Sequence, residues 1–385
     1  MLDPEFKAAL KALLEEAETP FYAYDLPALL REAEAFRHAF PDVRPFYAVK
    51  ANPRLFFLRA LRERGFFAET VSLGEVFRSY RAGFLPEELL LNGPVKPPRV
   101  LRALKAAGVP RLVADSAVDL ERIARELPGA EVLIRVNPDL PVSTHPHLAT
   151  GKGESQFGVL PEEVPALAER ARALGLRLLG LHLHLGSALE DPLDFEAGYR
   201  VIEGLLDELG PQPVVDLGGG FGLELDLAAL GPRVAAFKKK AGEVWLEPGR
   251  RLVARAGVLA TRVWGEKQTR RRYLLLDAGM SQFLRPALYG ARPPVLPLYE
   301  ARETGVFDLA GPACESTDVL ARDVRLPVPK EGDPLLILEA GAYGASMANR
   351  YLDTPRPAEY LWDGERWHLL RPREGYPELF EGERS

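Results

Sequence analysis

Short apolar runs alternate with amphipathic stretches between residues 27 and 250. This alternation is typical of repeated βα units and not of a helical bundle or a sandwich of sheets. Eight apolar runs fit buried strands: RPFYAVK (44–50), FFAETVS (66–72), ELLLNG (88–93), RLVAD (111–115), EVLIRVN (131–137), LLGLHLHLG (178–186), PVVDLG (213–218) and EVWLEPG (243–249). Eight strands separated by helices predict a closed parallel barrel.

The segments between these runs have the spacing of helices. Four of them carry apolar residues on one helical face and finish near a glycine: LFFLRALRERG, PRVLRALKAAG, DLERIARELPG and PALAERARALG. A further helix is predicted over PALLREAEAFRHAF (27–40), before the first barrel strand.

The pattern changes after Arg250, where alternating and β-branched runs with turn residues predict an all-β region. The segment FYAYD (21–25) could supply one strand of that region. The expected fold is therefore α/β: an N-terminal (β/α)8 barrel of the TIM type over 27–250, with a C-terminal all-β domain over 251–385 plus 1–26.

Composition excludes several classes of function. The 385 residues carry a net charge of −6, so there is no basic excess for binding nucleic acid. No apolar stretch approaches the roughly 20 residues that span a bilayer, and the N-terminus lacks the pattern of a signal peptide, so a cytoplasmic protein is expected. A single cysteine, Cys314, cannot form an intramolecular disulfide.

Polar residues end the predicted barrel strands, at the face where barrels of this kind hold their active sites. Lys50 ends the first run, and two interpretations are open. It could pair with a carboxylate at the barrel mouth, or it could be a Schiff-base lysine held near a charged partner. Glu69, at the end of the next run, is the candidate partner in both cases.

Two further motifs fit a flat, phosphorylated ligand. The glycines of DLGGGFG (216–222) allow backbone N–H groups to approach a phosphate, with the start of the following helix as a second favourable feature. In HLHLGS, His184 could stack on a cofactor ring and Ser187 could bind phosphate. His182 fits a buried, hydrogen-bonded histidine, and a metal site built on both histidines is not favoured because no carboxylate motif matches it.

The motif EPGR also has two interpretations. Glu247 could be an ion pair at the barrel rim, or its carboxylate could hold a proton on the pyridine nitrogen of pyridoxal phosphate. Arg250 could bind a phosphate or a substrate carboxylate.

Taken together and in order, YAVKAN, HLHLGS, DLGGGFG, EPGR, RPALYG, GPACESTD and GAYGASMANRY resemble the pyridoxal-phosphate-dependent decarboxylases of the alanine-racemase fold type. This group acts on diaminopimelate, ornithine, arginine and carboxynorspermidine. The resemblance spans about residues 20 to 360, and the last three motifs are most similar to the diaminopimelate decarboxylases.

The resemblance implies a role for each matching residue. It implies that Lys50 carries pyridoxal 5′-phosphate, that Cys314 is the general acid, and that homodimers share their active sites through Cys314 and Glu315. The remaining implied roles are ring stacking by His184, cofactor binding by Ser187, Gly218, Gly219, Gly220, Glu247, Gly249, Arg250 and Tyr343, and substrate binding by Arg250, Arg285, Tyr289, Glu315 and Tyr343.

The expected reaction is the decarboxylation of meso-2,6-diaminopimelate to L-lysine and CO2. Three alternatives remain: a decarboxylase of carboxynorspermidine, ornithine or a carrier-modified amino acid, an alanine racemase, and a non-catalytic pyridoxal-phosphate-binding or regulatory homologue. The racemase is disfavoured because similar enzymes place an arginine at the pyridine nitrogen. The non-catalytic homologue is disfavoured because both the β domain and the catalytic residues are present.

Overall fold

The computed structural model describes residues 2–140 and 155–383. The chain divides into two compact units, one of Ala33–Arg251 and one of Met1–Glu32 together with Leu252–Ser385. It begins with helix α1 (Pro4–Glu16), strand β1 (Phe21–Asp25) and helix α2 (Leu26–Ala39).

Eight parallel strands close into a barrel in the unit Ala33–Arg251. The strands are β2 (Arg44–Ala48), β3 (Phe67–Thr70), β4 (Leu89–Leu91), β5 (Arg111–Ala114), β6 (Glu131–Val136), β7 (Arg177–Leu183), β8 (Gln212–Asp216) and β9 (Ala241–Leu246). The helices between and after them are α3 (Leu55–Arg62), α4 (Leu73–Ala82), α5 (Pro98–Ala106), α6 (Ala117–Glu126), α7 (Val164–Ala173), α8 (Pro192–Leu209), α9 (Leu227–Ala236) and α10 (Arg250–Val253). The predicted (β/α)8 barrel is confirmed.

Local sequence fixes where these helices begin. Ser72 caps α4 by accepting a hydrogen bond from the Glu75 backbone N–H at 3.2 Å, and Ser116 caps α6 in the same way. The α4 helix ends at Gly83, whose φ of +102° is a backbone conformation that side chains other than hydrogen disfavour.

The barrel interior is packed by one large apolar side chain from nearly every strand. This layer consists of Phe46, Leu90, Val113, Leu133, Leu179, Val214 and Trp245, with the partly buried Phe67 packed against it. Such a layer fills the barrel, as parallel barrels of this type require. Polar side chains can therefore converge only beyond it, where the strands end.

Several strands are shorter than the apolar runs that predicted them. The β2 ladder stops at Ala48, and Lys50 lies in a short 3₁₀ turn, Val49–Ala51. The β7 strand stops at Leu183, so His184 and Ser187 lie in the following loop. The predicted runs 44–50 and 178–186 extend past the strands because the backbone leaves the hydrogen-bonded ladder before the polar residues.

The second unit is built on a mostly antiparallel sheet. Its order is β14-β13-β11-β10-β1-β16-β17, with β15 paired to β10 and to β12. These strands are β10 (Gly257–Gln268), β11 (Arg272–Leu276), β12 (Val295–Pro297), β13 (Thr304–Ala310), β14 (Val319–Pro327), β15 (Pro334–Ile337), β16 (Ala358–Trp362) and β17 (Trp367–Arg371), and a short helix α11 (Arg285–Tyr289) follows β11.

The N-terminal segment belongs to this sheet, as the FYAYD pattern predicts. Strand β1 pairs antiparallel with β10 and parallel with β16. Helix α1 buries Phe6, Leu10, Leu13 and Leu14 against apolar residues of the sheet. Within residues 2–140 and 155–383, no helix has the length and apolar content that crossing a membrane requires.

Candidate active site

The Lys50 ammonium pairs with a carboxylate at the end of the barrel. Its Nζ donates to Glu69 Oε2 at 3.0 Å, where Glu69 is the third residue of β3. The Glu69 side chain is 0% exposed, whereas the Lys50 side chain is 35% exposed. A buried carboxylate therefore pairs with a partly exposed lysine, which fits both interpretations of Lys50.

Burial changes the acid–base behaviour of Glu69. Loss of solvent, opposed by the Lys50 charge and reinforced by that of Glu247, raises the pKa of Glu69 from 4.5 to about 7. The Glu69 carboxyl therefore titrates closer to neutral pH than an exposed glutamate does.

Glu247 lies at the centre of a buried cluster after β9. His182 Nε2, on β7, is 3.3 Å from Glu247 Oε1 and 3.3 Å from the amide nitrogen of Asn92. The Asn92 carboxamide oxygen accepts the Gly93 backbone N–H at 2.8 Å, which fixes the orientation of that amide. His182 is fully buried, as the sequence predicts for it.

Asp216, the last residue of β8, is the third member of this cluster. Its Oδ1 accepts the Gly218 backbone N–H at 2.9 Å, and its side chain is within hydrogen-bonding reach of Glu247. Ligand-type atoms of His182, Asp216 and Glu247 lie within 4.8 Å of one another. The sequence showed no carboxylate motif that matched His182. In the structure, the two carboxylates beside His182 come from the end of β8 and from the loop after β9.

The two carboxyl groups have opposite acid–base behaviour. Burial, together with the charge of Glu247, raises the pKa of Asp216 well above its ordinary value of 3.8. Burial alone would raise the pKa of Glu247 as well, but His182, Lys50 and His184 outweigh it and lower that pKa to about 2. These surroundings favour the anionic form of Glu247 and the neutral form of Asp216.

His184 lies beside the glycine loop as a neutral ring. Burial, followed by the charges of Arg135 and Lys50, holds the pKa of His184 well below 6.5. Its Nδ1 accepts the Gly219 backbone N–H at 3.4 Å. A neutral imidazole with its orientation fixed by the loop is suited to stacking on a flat ring.

The DLGGGFG loop brings three chain segments together because its residues lack side chains. A Cβ on Gly218 would lie 2.0 Å from the Leu183 carbonyl oxygen, and one on Gly219 would lie 2.3 Å from that of Glu247. The next helix, α9, begins only at Leu227, where Asp226 caps it. The expectation that this helix start adjoins the glycines is therefore wrong, since several loop residues intervene.

Arg250 lies against Ser187. Its guanidinium Nη2 donates to Ser187 Oγ at 3.0 Å. Ser187 follows β7 and Arg250 follows β9, so both flank the glycine loop that comes after β8. Of the two roles expected for Arg250, this position favours phosphate.

The other candidate residues belong to the β-rich unit. Arg285 and Tyr289 are the first and last residues of α11, and Arg285 Nη1 donates to the Glu339 carbonyl oxygen at 3.3 Å. Tyr343 has a φ of +57°, an uncommon conformation for a residue with a side chain.

Cys314 and Glu315 lie in a loop between β13 and β14. The Cys314 thiol is exposed, and the Glu315 carboxylate accepts a hydrogen bond from the Tyr351 hydroxyl. Asp318 holds this loop by accepting backbone N–H groups of Ala313 at 2.7 Å and Met280 at 2.5 Å. Asp318 is the last residue of the GPACESTD motif, and the sequence alone indicates no function for it.

Comparisons with known proteins show the family of the chain. The model of the pyridoxal-dependent decarboxylase family, pyridoxal binding domain, matches residues 26–254. A diaminopimelate decarboxylase of Deinococcus radiodurans is 47% identical over 377 residues, covering 97% of this chain and 98% of that protein. The chain belongs to this family of decarboxylases.

Other members of the family match over a similar length. A diaminopimelate decarboxylase of Archaeoglobus fulgidus is 36% identical, with 97% of this chain and 94% of that protein covered. The crystal structure of the Helicobacter pylori diaminopimelate decarboxylase complexed with L-lysine superposes with a TM-score of 0.90 at 31% identity, covering 96% of this chain and 98% of that one. The resemblance stated from the motifs is confirmed.

The residues of the barrel unit fit the pyridoxal phosphate of this family. Glu247 is a buried carboxylate whose lowered pKa favours the anion, as a partner for a protonated ring nitrogen requires. The glycine loop has no space for side chains, so its backbone can approach a phosphate. Lys50, the neutral His184 and the Ser187–Arg250 pair complete a donor set of suitable chemistry.

Sequence reasoning missed the function of Asp216 in this site. It read the aspartate only as the first residue of a glycine loop. The signal that could have found it is its position at the end of an apolar strand, next to the strand whose end carries Glu247.

Proposed function

We propose that this chain decarboxylates meso-2,6-diaminopimelate to L-lysine and CO2, with the barrel-end cluster as its reaction centre. The similarity over 97% of the chain to a protein named diaminopimelate decarboxylase carries the proposal. The arrangement of Lys50, Glu69, His184 and Glu247 supports it, because these groups lie at the ends of the barrel strands and offer the amine, acid, ring and carboxylate that the chemistry needs.

Pyridoxal phosphate, when bound, supplies the electron sink that accepts the electron pair left by departing CO2. Lys50 holds the cofactor covalently, and the Glu69 carboxyl, 3.0 Å from its amine, receives and returns the lysine proton. The anionic Glu247 keeps a proton on the ring nitrogen. Ser187, Arg250 and Gly218 to Gly220 bind the phosphate, which excludes water from that end of the site.

The substrate's distal end is assigned to the β-rich unit. Arg285 and Tyr289 offer donors for a distal carboxylate, and Glu315 offers an acceptor for a distal ammonium. Tyr343 is assigned to cofactor and substrate binding by its match to the family motif. The Cys314 thiol protonates the carbon from which CO2 has left. In this proposal the functional unit is a homodimer, in which Cys314 and Glu315 of one protomer complete the site of its partner.

Substrate selectivity tests the proposal. L-Lysine lacks the distal carboxylate and gives Arg285 and Tyr289 no anion to bind, a loss of about 2 to 5 kcal/mol. The kcat/KM for CO2 release from meso-diaminopimelate should therefore exceed that for L-lysine or L-ornithine by roughly 30-fold or more. Equal rates with these amino acids would contradict the proposal.

A matched pair of variants tests the distal pocket. Glu315→Gln removes the negative charge and should lower kcat/KM for meso-diaminopimelate far more than it lowers the affinity for pyridoxal phosphate. Glu303→Gln makes the same change at an exposed position of the same unit and should leave both quantities unchanged. An unchanged kcat/KM in Glu315→Gln would show that Glu315 does not bind the substrate.

A further inference from the structure

The buried end of the barrel contains more carboxyl groups than cations. Glu69, Asp216 and Glu247 are all buried. Lys50 is paired with Glu69, and Arg135 lies 3.7 Å from Asp115. Among the described residues, no lysine or arginine forms an ion pair with Asp216 or with Glu247. A second uncompensated carboxylate beside Glu247 would be costly in this environment.

Two buried carboxyl oxygens of this cluster, Asp216 Oδ2 and Glu247 Oε1, have no hydrogen-bond partner within the described part of the chain. His182 Nε2 lies 3.3 Å from Glu247 Oε1, but the Asn92 amide nitrogen donates to this Nε2, so a neutral His182 has no proton there to give to Glu247. The two side chains are close enough to hydrogen-bond. Two carboxylate oxygens both accept, so they satisfy each other only if one of them carries a proton.

We propose that Asp216 is a neutral carboxylic acid whose Oδ2–H donates to Glu247 and thereby positions and tunes that carboxylate. The Gly218 backbone N–H binds the opposite oxygen, Oδ1, and so directs the protonated oxygen towards Glu247. Asp216 is a positioning residue, since it acts through Glu247.

The proposed bond has a specific consequence for Glu247. A carboxylate that accepts a hydrogen bond has a lower proton affinity than one that does not. With Asp216 as donor, Glu247 leaves the proton on a basic ring nitrogen instead of taking it. This second step rests on the proposed function, whereas the protonation of Asp216 does not.

The groups around Asp216 favour its neutral form. Glu247 and Glu69 bear like charges towards it, and His182 is fully buried. Burial lowers the pKa of His182, so this ring is a neutral neighbour at pH 7. The Gly218 N–H opposes these effects by stabilising an anion at Asp216.

Infrared spectroscopy of the protein without cofactor tests the protonation directly. The difference spectrum between wild type and Asp216→Asn at pH 7 should contain the carbonyl band of a protonated carboxyl group, lost in the variant. Asp308→Asn is the matched control, because Arg271 lowers the pKa of Asp308 and its difference spectrum should contain only carboxylate bands. A carboxylate band lost from Asp216→Asn would overturn the proposal.

Conservative replacement tests the donor role. An asparagine amide can donate to Glu247 and accept from Gly218, so Asp216→Asn should keep its affinity for pyridoxal phosphate within about threefold of wild type. Asp216→Ala lacks the donor and should lose about tenfold or more. Equal losses in both variants would overturn the donor role.

The ring nitrogen gives a second readout that does not depend on turnover. With ¹⁵N-labelled pyridoxal phosphate bound, wild type and Asp216→Asn should share the chemical shift of a protonated nitrogen, and Asp216→Ala should shift towards the unprotonated value. If Asp216→Ala fails to fold, the Asp216→Asn infrared result still decides the protonation. If Asp216 is protonated but the protein releases no CO2, the proposed function is wrong and the proposal for Asp216 stands.

Discussion

At the scale of single residues, buried charge determines the behaviour of this site. The free energy of unfolding contains a contribution from Glu69 that depends on pH. Its carboxyl has a pKa of about 7 in the folded chain and an ordinary value of 4.5, so the folded state binds more protons than the unfolded state between these values. This contribution is fully present below pH 4.5 and falls as pH rises towards 7.

Glu69→Gln should remove that dependence. Between pH 5 and 7 the variant should gain up to about 1.4 kcal/mol per pH unit relative to wild type, measured on protein without cofactor by thermal unfolding. The difference between the two curves isolates Glu69, because His182 and His184 contribute to both. Glu374→Gln is the control: three arginines lower the pKa of Glu374, so its effect lies below pH 4.5. Parallel curves for wild type and Glu69→Gln would contradict the prediction.

Residue type and position predicted part of this chemistry. The Lys50–Glu69 pair could be expected because a lysine and a glutamate end neighbouring predicted strands. The protonation of Asp216 could not be expected from the sequence. It depends on the burial of Asp216 and on its distance to Glu247, and both are set only when β8 and β9 lie side by side in the folded barrel. The same holds for Asp318, whose contacts to Ala313 and Met280 exist only after folding.

At the scale of elements, the loop between β8 and α9 determines how closely the barrel strands converge. Gly219→Ala would place a Cβ 2.3 Å from the Glu247 carbonyl oxygen, a backbone atom that cannot move aside cheaply. This overpacking should cost about 1 to 3 kcal/mol of stability and weaken pyridoxal phosphate binding. Thermal unfolding and cofactor titration measure the two effects.

Gly204→Ala is the matched control for this substitution. Gly204 is an exposed residue inside α8, and a Cβ there meets no atom within 4 Å. Since alanine favours a helix over glycine by about 0.8 to 1 kcal/mol, this variant should be at least as stable as wild type and bind the cofactor normally. Equal behaviour of the two variants would show that the glycine loop tolerates side chains.

Element type was predictable from periodicity, whereas element ends were less so. The helices predicted over 27–40 and over LFFLRALRERG appear as α2 and α3 with ends shifted by a few residues. The strand preceding Lys50 ends earlier than its apolar run, because side-chain pattern does not record where backbone pairing stops. For the same reason, the sequence pattern did not show that several loop residues separate the glycines from the start of α9.

At the scale of the whole molecule, the proposed homodimer predicts complementation between inactive chains. Lys50→Ala lacks the cofactor lysine and Cys314→Ala lacks the proposed acid, so each protein alone should release almost no CO2. In a mixed dimer, one of the two shared sites keeps both residues. Mixing equal amounts should therefore restore about a quarter of the wild-type activity if subunits exchange at random. No recovery, despite exchange shown by mass spectrometry of the dimers, would contradict the shared site.

Sequence predicted the barrel better than the sheet of the other unit. Consecutive barrel strands lie side by side, so local repetition predicts the order β2 to β9. In the sheet, β1 pairs with β10 and β16, which come from distant parts of the chain. Local pattern identified β1 as a strand but could not identify its neighbours.

The stoichiometry of the reaction tests the central claim most directly. Incubation of the protein with pyridoxal phosphate and meso-diaminopimelate should release one CO2 and form one L-lysine for each substrate molecule consumed. Lys50→Ala should do neither and should retain no cofactor after borohydride reduction, whereas Lys105→Ala, at an exposed position of α5, should match wild type. Consumption of substrate without L-lysine, or borohydride-trapped cofactor in Lys50→Ala, would contradict the account.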